Sequence, residues 1–87
     1  MNSSPRDAVQ AALRAAFRRI APEVDFDGID ARQDLREQVD LDSVDLLNLL
    51  VALEEKLGVE VPEADYAAIS TLEGLLQYLV SHLEEET

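Results

Sequence analysis

Three stretches of the chain carry apolar residues at intervals of three and four, the spacing that places them on one face of an α-helix. This spacing predicts helices over residues 5–20, over residues 43–57 and from about residue 71 towards the C-terminus. Their apolar stripes should meet in one core. The stripes are Val9, Leu13, Ala16, Phe17 and Ile20; Leu46, Leu49, Leu50, Leu53 and Leu57; and Leu72, Leu75, Leu76, Leu79, Val80 and Leu83.

Polar and glycine residues at the ends of these stretches support the boundaries. Ser4 and Asp42 fit N-cap positions, and Ser70 or Thr71 fits the cap of the last helix, because a side-chain oxygen there accepts from a free backbone N–H. Gly58 fits the left-handed position that closes a helix. The second long helix is therefore expected to run from residue 43 to residue 57.

The last helix contains two features that should weaken it. Gly74 lies in its interior, where glycine costs about 1 kcal/mol relative to alanine. Its final residues are acidic, at the end where the helix dipole favours cations. Residues 84–87 are expected to fray, as are residues 1–3.

The segments between the long helices are less regular. Residues 21–41 form a long first loop, with a short turn near residues 34–38, and a loop of this length requires anchors. Residues 63–68, which follow Pro62, predict a short third helix. The expected fold is a single all-α domain over residues 1–87, a small four-helix bundle of three main helices and a short one. The expected loop anchors are Ile29, Leu35, Val39 and Leu41.

Composition excludes several classes of function. The chain has no cysteine, which excludes disulfides, zinc–thiolate sites and a cysteine nucleophile. It has no apolar run of membrane-spanning length and no signal-peptide pattern, so a cytoplasmic protein without membrane insertion is expected. The formal net charge of −12 argues against nucleic acid as a partner and favours partners with basic surfaces.

Ser43 is the candidate functional residue. It lies between Asp42 and Asp45 in the first turn of the second long helix, where its hydroxyl can reach solvent. Nothing near it in sequence can act as a base, and the single histidine, His82, is expected at the surface of the last helix. A catalytic role for Ser43 is not predicted, and from spacing alone it fits an ordinary helix start in a bundle.

A weak calcium-binding pattern occurs in the first loop. Glu23, Asp25, Asp27 and Gly28 match positions 1, 3, 5 and 6 of an EF-hand, and Asp34 falls at position 12. The first position is glutamate, the last is the shorter aspartate, and no long helix follows directly. A solvated acidic loop is expected, and no metal site.

A family resemblance changes the interpretation of Ser43. The tripeptide Asp42-Ser43-Val44 resembles the Asp-Ser-Leu signature of acyl carrier proteins, with a mild departure at Val44. The resemblance runs without a gap to Tyr78. It includes Ala52-Leu53-Glu54-Glu55, Glu60-Val61-Pro62-Glu63 and Ile69-Ser70-Thr71-Leu72.

This resemblance implies a carrier rather than an enzyme. In the family the serine carries 4′-phosphopantetheine, derived from coenzyme A, through a phosphodiester. The implied chain is a stand-alone monomer that holds acyl intermediates as thioesters on the 4′-phosphopantetheine arm at Ser43, for fatty-acid, polyketide or related biosynthesis. The implied partners are a phosphopantetheinyl transferase and the enzymes that load and process the acyl group.

The second long helix carries a further apolar pattern beside Ser43. Val44, Leu47 and Val51 recur at helical spacing away from the core stripe. They can widen the core contact, or they can form an apolar docking strip inside a charged rim, as interfaces commonly do. The family uses this helix as its docking face, although Asn48 replaces an acidic residue common in fatty-acid carriers. The expected rim is Asp42, Asp45, Glu54 and Glu55.

The family also implies an acyl-chain cavity between the second, third and fourth helices. The candidate lining residues double as ordinary core residues. They are Leu46, Leu53, Ala68, Ile69, Leu72 and Leu76.

Two alternatives remain open at this point. One is an aminoacyl or peptidyl carrier of the same fold, against which strong acidity is only a modest argument. The other is an acidic helical interaction module that carries no cofactor.

Overall fold

The fold is all-α, as predicted, in a computed structural model that describes residues 4–39 and 41–85. Four α-helices and two 3-10 helices follow one another in the described ranges. They are α1 (Pro5–Ile20), a 3-10 helix (Phe26–Gly28), α2 (Leu35–Gln38), α3 (Ser43–Leu57), a 3-10 helix (Glu63–Ile69) and α4 (Leu72–Glu85).

The predicted ends of the first two long helices are confirmed, because short polar contacts define them. Ser4 Oγ accepts from the N–H of Asp7 at the start of α1, with Pro5 in the first turn. Gly58 closes α3 with φ of 72°, a left-handed conformation that glycine adopts without a steric penalty.

Helix α1 supplies the central surface of the core, since both α3 and α4 pack against it. Phe17 and Leu13 on α1 are almost fully buried, as are Leu53 on α3 and Leu79 on α4. Burying such side chains contributes about 1.5–3 kcal/mol each relative to exposure. The buried stripe of α1 comprises Val9, Ala12, Leu13, Ala16 and Phe17.

The long first loop is fixed to the end of the bundle where α4 begins. The N–H of Leu35 donates to Ser70 O at 2.8 Å, and the N–H of Glu73 donates to Ala31 O at 2.9 Å. Leu35 and Leu41 are buried as anchors. The remaining predicted anchors, Ile29 and Val39, pack partly buried against the same core.

The predicted short third helix is present and is one residue longer than predicted. It is a 3-10 helix, runs to Ile69 and packs against α4. Thr71 rather than Ser70 then caps α4, because Thr71 Oγ1 accepts from the N–H of Gly74 at 3.0 Å.

Gly74 serves a packing role that the sequence did not indicate. A Cβ at this position would lie 2.5 Å from Ala68 O and 3.0 Å from Thr71 Oγ1. The backbone of α4 therefore approaches the preceding 3-10 helix more closely than any side chain would permit. The residue expected to weaken α4 is the one that lets the two helices meet.

Helix α4 is longer at its C-terminal end than predicted. It continues through Glu85, two residues into the segment for which fraying was predicted, and residues 1–3, 86 and 87 lie outside the described residues. His82 is half-buried rather than a free surface residue, and its ring stacks on Tyr78 with centroids 4.1 Å apart. No helix in the described ranges is long and apolar enough to cross a membrane.

Replacing Gly74 by alanine should destabilise the protein. Helix propensity alone would favour alanine by about 1 kcal/mol. The clash with Ala68 O should outweigh that gain and give a net loss of about 1–2 kcal/mol, in the range of overpacked sites. Urea denaturation of the variant checks the sign.

The matched control for this prediction is Gln77→Ala, an exposed position on the same helix. It should change stability by less than about 0.5 kcal/mol. A Gly74→Ala variant as stable as the wild type would show that the backbones can separate at little cost.

Candidate functional site

The start of α3 presents Ser43 to solvent on a fixed backbone. Asp42 Oδ1 accepts from the N–H of Asp45 at 2.8 Å, which confirms the predicted N-cap. The N–H of Leu46 donates to Asp42 O at 3.0 Å and starts the regular helix. Ser43 is exposed, and within the described part of the chain its hydroxyl makes no hydrogen bond.

A second contact holds the segment just before Ser43. Arg36, on α2, donates from Nε to Leu41 O at 3.3 Å. Asp34 caps α2 by accepting from the N–H of Arg36 at 2.9 Å. The loop thus places a guanidinium beside the turn that leads into α3.

The apolar strip beside Ser43 is exposed. Val44, Leu47 and Val51 keep 64%, 52% and 43% of their surface in solvent, whereas Leu49 and Leu53 on the same helix are buried. The wide-core alternative for this strip therefore does not describe the structure. An exposed row of large apolar residues is unusual enough to indicate a contact surface.

The charged rim around this strip is mixed in sign at one end. Asp42 and Glu54 are exposed and Asp45 is half-buried. Glu55 lies 3.8 Å from Arg19 at the end of α1, in a solvent-exposed ion pair that is weak by nature. Sequence reasoning assigned Glu55 to the rim without this cation, because the pair joins residues that are 36 positions apart.

A groove continues from the strip towards α1. It has a volume of about 280 Å³ and lies between α1 and α3. The exposed strip is thus bordered by a shallow depression. The groove is lined by Arg19, Ile20, Asn48, Val51, Ala52 and Glu55.

An apolar cavity opens on the other side of the start of α3. Its volume is about 270 Å³, and α2, α3 and the 3-10 helix Glu63–Ile69 enclose it. Four lining residues are aliphatic and four are polar or aromatic. They are Leu35, Leu46, Ala67 and Ile69, together with Asp34, Arg36, Tyr66 and Ser70.

The cavity differs from its predicted lining. Leu46 and Ile69 do line it. Leu53, Leu72 and Leu76 are buried in the core and are not among the lining residues. Ala68 is exposed, and its carbonyl faces Gly74. The first loop contributes the missing wall, which helical periodicity could not indicate because the contact is long-range.

Two acidic residues of the calcium-binding pattern, Asp25 and Asp27, have partners within the protein. Arg14 donates from Nη2 to Asp27 Oδ1 at 2.7 Å and from Nη1 to Asp27 Oδ2 at 3.1 Å. Asp25 accepts from the N–H of Asp27. In the ranges that the structure describes, no group of three or more histidine, cysteine, aspartate or glutamate residues could hold a metal ion.

The aromatic residues have structural contacts. Phe17 and Phe26 pack with centroids 5.4 Å apart, and the Arg14 guanidinium lies 5.1 Å from the Phe26 ring centre. Tyr78 donates its hydroxyl to Asp65 at 2.7 Å, linking α4 to the short third helix. His82 Nδ1 lies 2.8 Å from the carbonyl oxygen of Tyr78.

Comparison with known proteins gives a consistent result. Residues 11–79 match the family model described as a phosphopantetheine attachment site. The chain is 36% identical to an acyl carrier protein of Rubrobacter xylanophilus, over 68% of this chain and 73% of that protein. It is 33% identical to one of Lactobacillus acidophilus (69% and 75% covered) and 31% identical to one of Clostridium perfringens (71% and 82% covered).

The Arg14–Asp27 ion pair should make the stability of the folded state depend on pH. Hydrogen bonding and attraction from Arg14 lower the pKa of Asp27 below its ordinary value. The pair therefore favours the folded state above the ordinary carboxyl range, and this contribution disappears as the pH falls through the lowered pKa. Carboxyl-detected NMR titration should place the Asp27 midpoint below that of an unpaired aspartate.

The control is Arg14→Gln, which should return the Asp27 midpoint to the ordinary range. An unchanged midpoint in this variant would assign the lowered pKa to some other group.

Proposed function

The chain belongs to the acyl carrier protein family, whose members carry covalently bound 4′-phosphopantetheine and are not enzymes, and we propose that Ser43 is the attachment residue. The observation that carries this proposal is the exposed hydroxyl of Ser43 in the first turn of a long, capped helix. The resemblance of Asp42-Ser43-Val44 to the family signature supports the same assignment.

The surroundings of Ser43 fit a phosphodiester. The N-terminus of a helix carries partial positive charge and N–H groups without helical partners, and both favour phosphate. One carboxylate oxygen of Asp42 accepts from the N–H of Asp45. This N-cap hydrogen bond does not involve the Ser43 side chain, so it can persist when Ser43 is modified. The Ser43 side chain makes no hydrogen bond to the described residues, so its modification breaks no such contact of the fold.

Attachment requires a second protein. His82 contacts Tyr78 on α4, so the single histidine of the chain is engaged elsewhere. A serine hydroxyl is a weak nucleophile without an adjacent base. A phosphopantetheinyl transferase would supply that base and deliver the arm from coenzyme A.

The function of the modified chain is to present cargo. The chain has no cysteine, and the thiol that forms a thioester with an acyl group belongs to the arm. Tethering the acyl group to one protein raises its effective concentration at any enzyme that binds that protein. The names of the three relatives favour an acyl group over an aminoacyl group as cargo.

The face of α3 beside Ser43 would dock onto the enzymes that load and process the acyl group in fatty-acid, polyketide or related biosynthesis. Val44, Leu47 and Val51 supply an apolar centre, and Asp42, Asp45 and Glu54 supply charge for a basic surface. The carrier would act as a monomer, because a second copy would bring further acidic groups against this strongly acidic chain.

The attachment site can be tested by mass. Incubation with coenzyme A and a broad-specificity phosphopantetheinyl transferase should add about 340 Da, the mass that covalent attachment of the arm brings. Ser43→Ala should abolish the gain and leave the helical circular dichroism spectrum unchanged. Ser70→Ala serves as the control and should be modified like the wild type; a gain that persists in Ser43→Ala would place the arm on another residue.

Docking can be tested by kinetics with a partner enzyme. Glu54→Lys should mainly slow association, since rim charges act on encounter rates, and high salt should slow the wild type in the same way. Leu47→Ala should instead speed dissociation, by an amount equivalent to about 1–2 kcal/mol. Surface plasmon resonance separates the two rates.

The controls for docking keep the fold under observation. Glu63→Lys, an exposed acid on the short third helix, changes net charge equally and should affect association less. Leu47→Ala should keep the urea midpoint of the wild type, because Leu47 is half-exposed. A large loss of stability in Leu47→Ala, with unchanged dissociation, would identify the strip as structural.

A further inference from the structure

The cavity beside the start of α3 has a mainly apolar lining that includes one cationic side chain. Leu46 and Ile69 contribute aliphatic surface, and Arg36 is the cation among the lining residues. We propose that Arg36 makes this cavity selective for acyl groups that bear an uncharged acceptor oxygen near the thioester. The proposal rests on the attachment of the arm at Ser43.

Arg36 has donors to spare. Its guanidinium carries five N–H groups and no acceptor, and Nε donates to Leu41 O at 3.3 Å. In the described ranges no carboxylate lies within ion-pair distance of Arg36, unlike Arg6, Arg14 and Arg19. As far as the described residues are concerned, the remaining donors are open to water or to an acceptor on a bound group.

A plain hydrocarbon chain suits this site less well than an oxygenated one. Arg36 is exposed, so cargo in the cavity would displace only part of its hydration. A guanidinium N–H that loses water without gaining an acceptor still costs free energy. A keto or hydroxyl oxygen would replace that water, while the adjacent carbons contact Leu46 and Ile69. Tyr66 and Ser70 add two hydroxyl groups to the same lining.

A carboxylate-bearing cargo is disfavoured by a second lining residue. Asp34 lies in the cavity wall, and its Oδ1 is fixed by the N–H of Arg36 at 2.9 Å. A carboxylate near Arg36 would also lie near the Asp34 carboxylate, whose repulsion offsets the attraction to Arg36, whereas a neutral oxygen accepts from Arg36 without that repulsion. The site therefore distinguishes a neutral oxygen from both a bare chain and an acid.

The cavity is positioned for cargo held at Ser43. Leu46 lies three residues after Ser43 on α3, the spacing of neighbours along one helix face. Arg36 is tied to Leu41, two residues before Ser43. Both residues that would contact the cargo are thus fixed to the turn that carries the attachment serine.

In the test, a phosphopantetheinyl transferase attaches the arm, with or without an acyl group, to the ¹⁵N-labelled chain. Four donors are compared: coenzyme A and its hexanoyl, 3-oxohexanoyl and succinyl thioesters. The 3-oxohexanoyl form should shift the amides of Leu46 and Ile69 and the Arg36 Nε–H signal relative to the arm alone. The hexanoyl form should be bound in the cavity about fivefold less, as expected for one hydrogen bond of ordinary net strength. The succinyl form should resemble the arm alone.

Two variants separate the role of Arg36 from the general loss of a charge. Arg36→Met keeps a long unbranched chain and should remove the difference between the 3-oxohexanoyl and hexanoyl forms. Arg32→Met removes an exposed cation of the same loop that is absent from the cavity lining, and should keep the difference. If Arg36→Met does not fold, Arg36→Gln, whose amide can still donate to Leu41 O, takes its place.

Each outcome decides a separate question. Equal shifts with the hexanoyl and 3-oxohexanoyl forms in the wild type would overturn the selectivity, as would a difference that survives loss of the Arg36 guanidinium. An Arg36 signal that moves equally in all four forms would show that Arg36 contacts the arm and not the cargo. Failure of Ser43 to gain mass with any donor would instead refute the attachment site.

Discussion

The buried face of α1 is the constraint on which the rest of the molecule depends. Helices α3 and α4 both pack against it, and its residues include Leu13 and Phe17, which are almost fully buried. Helix α1 packs against one face of α3, and Val44, Leu47 and Val51 on another face stay exposed among the described residues. The exposed strip is therefore a direct consequence of how the core is filled.

The first loop completes the site beside Ser43 by adding a wall to the cavity. Backbone hydrogen bonds from Leu35 to Ser70 and from Glu73 to Ala31 fix the loop where α4 begins. With the loop held there, α2 forms a wall of the cavity and Arg36 contacts the segment just before Ser43. Gly74 matters to the same arrangement, since its missing side chain lets α4 meet the short third helix.

Sequence patterns that span only a few residues predicted the positions of the long helices. The stripes, the caps at Ser4 and Asp42 and the closing glycine gave the bounds of α1 and α3, because capping is settled within one turn. Likeness to a family signature, rather than any physical pattern, singled out Ser43. The cavity wall, the Arg19–Glu55 pair and the role of Gly74 join residues distant in sequence or depend on backbone approach, and periodicity carries no information about either.

The balance between the apolar strip and the surrounding charge suits a protein that must visit several partners. Three exposed apolar side chains form a narrow contact that cannot by itself sustain a large, permanent interface. The acidic groups beside them act at longer range and raise the rate of encounter with basic surfaces more than they raise affinity. The same charge opposes self-association, in which acidic rims would face each other. If this surface is the docking face that we propose, its charge would give fast association and its small apolar area would give ready dissociation.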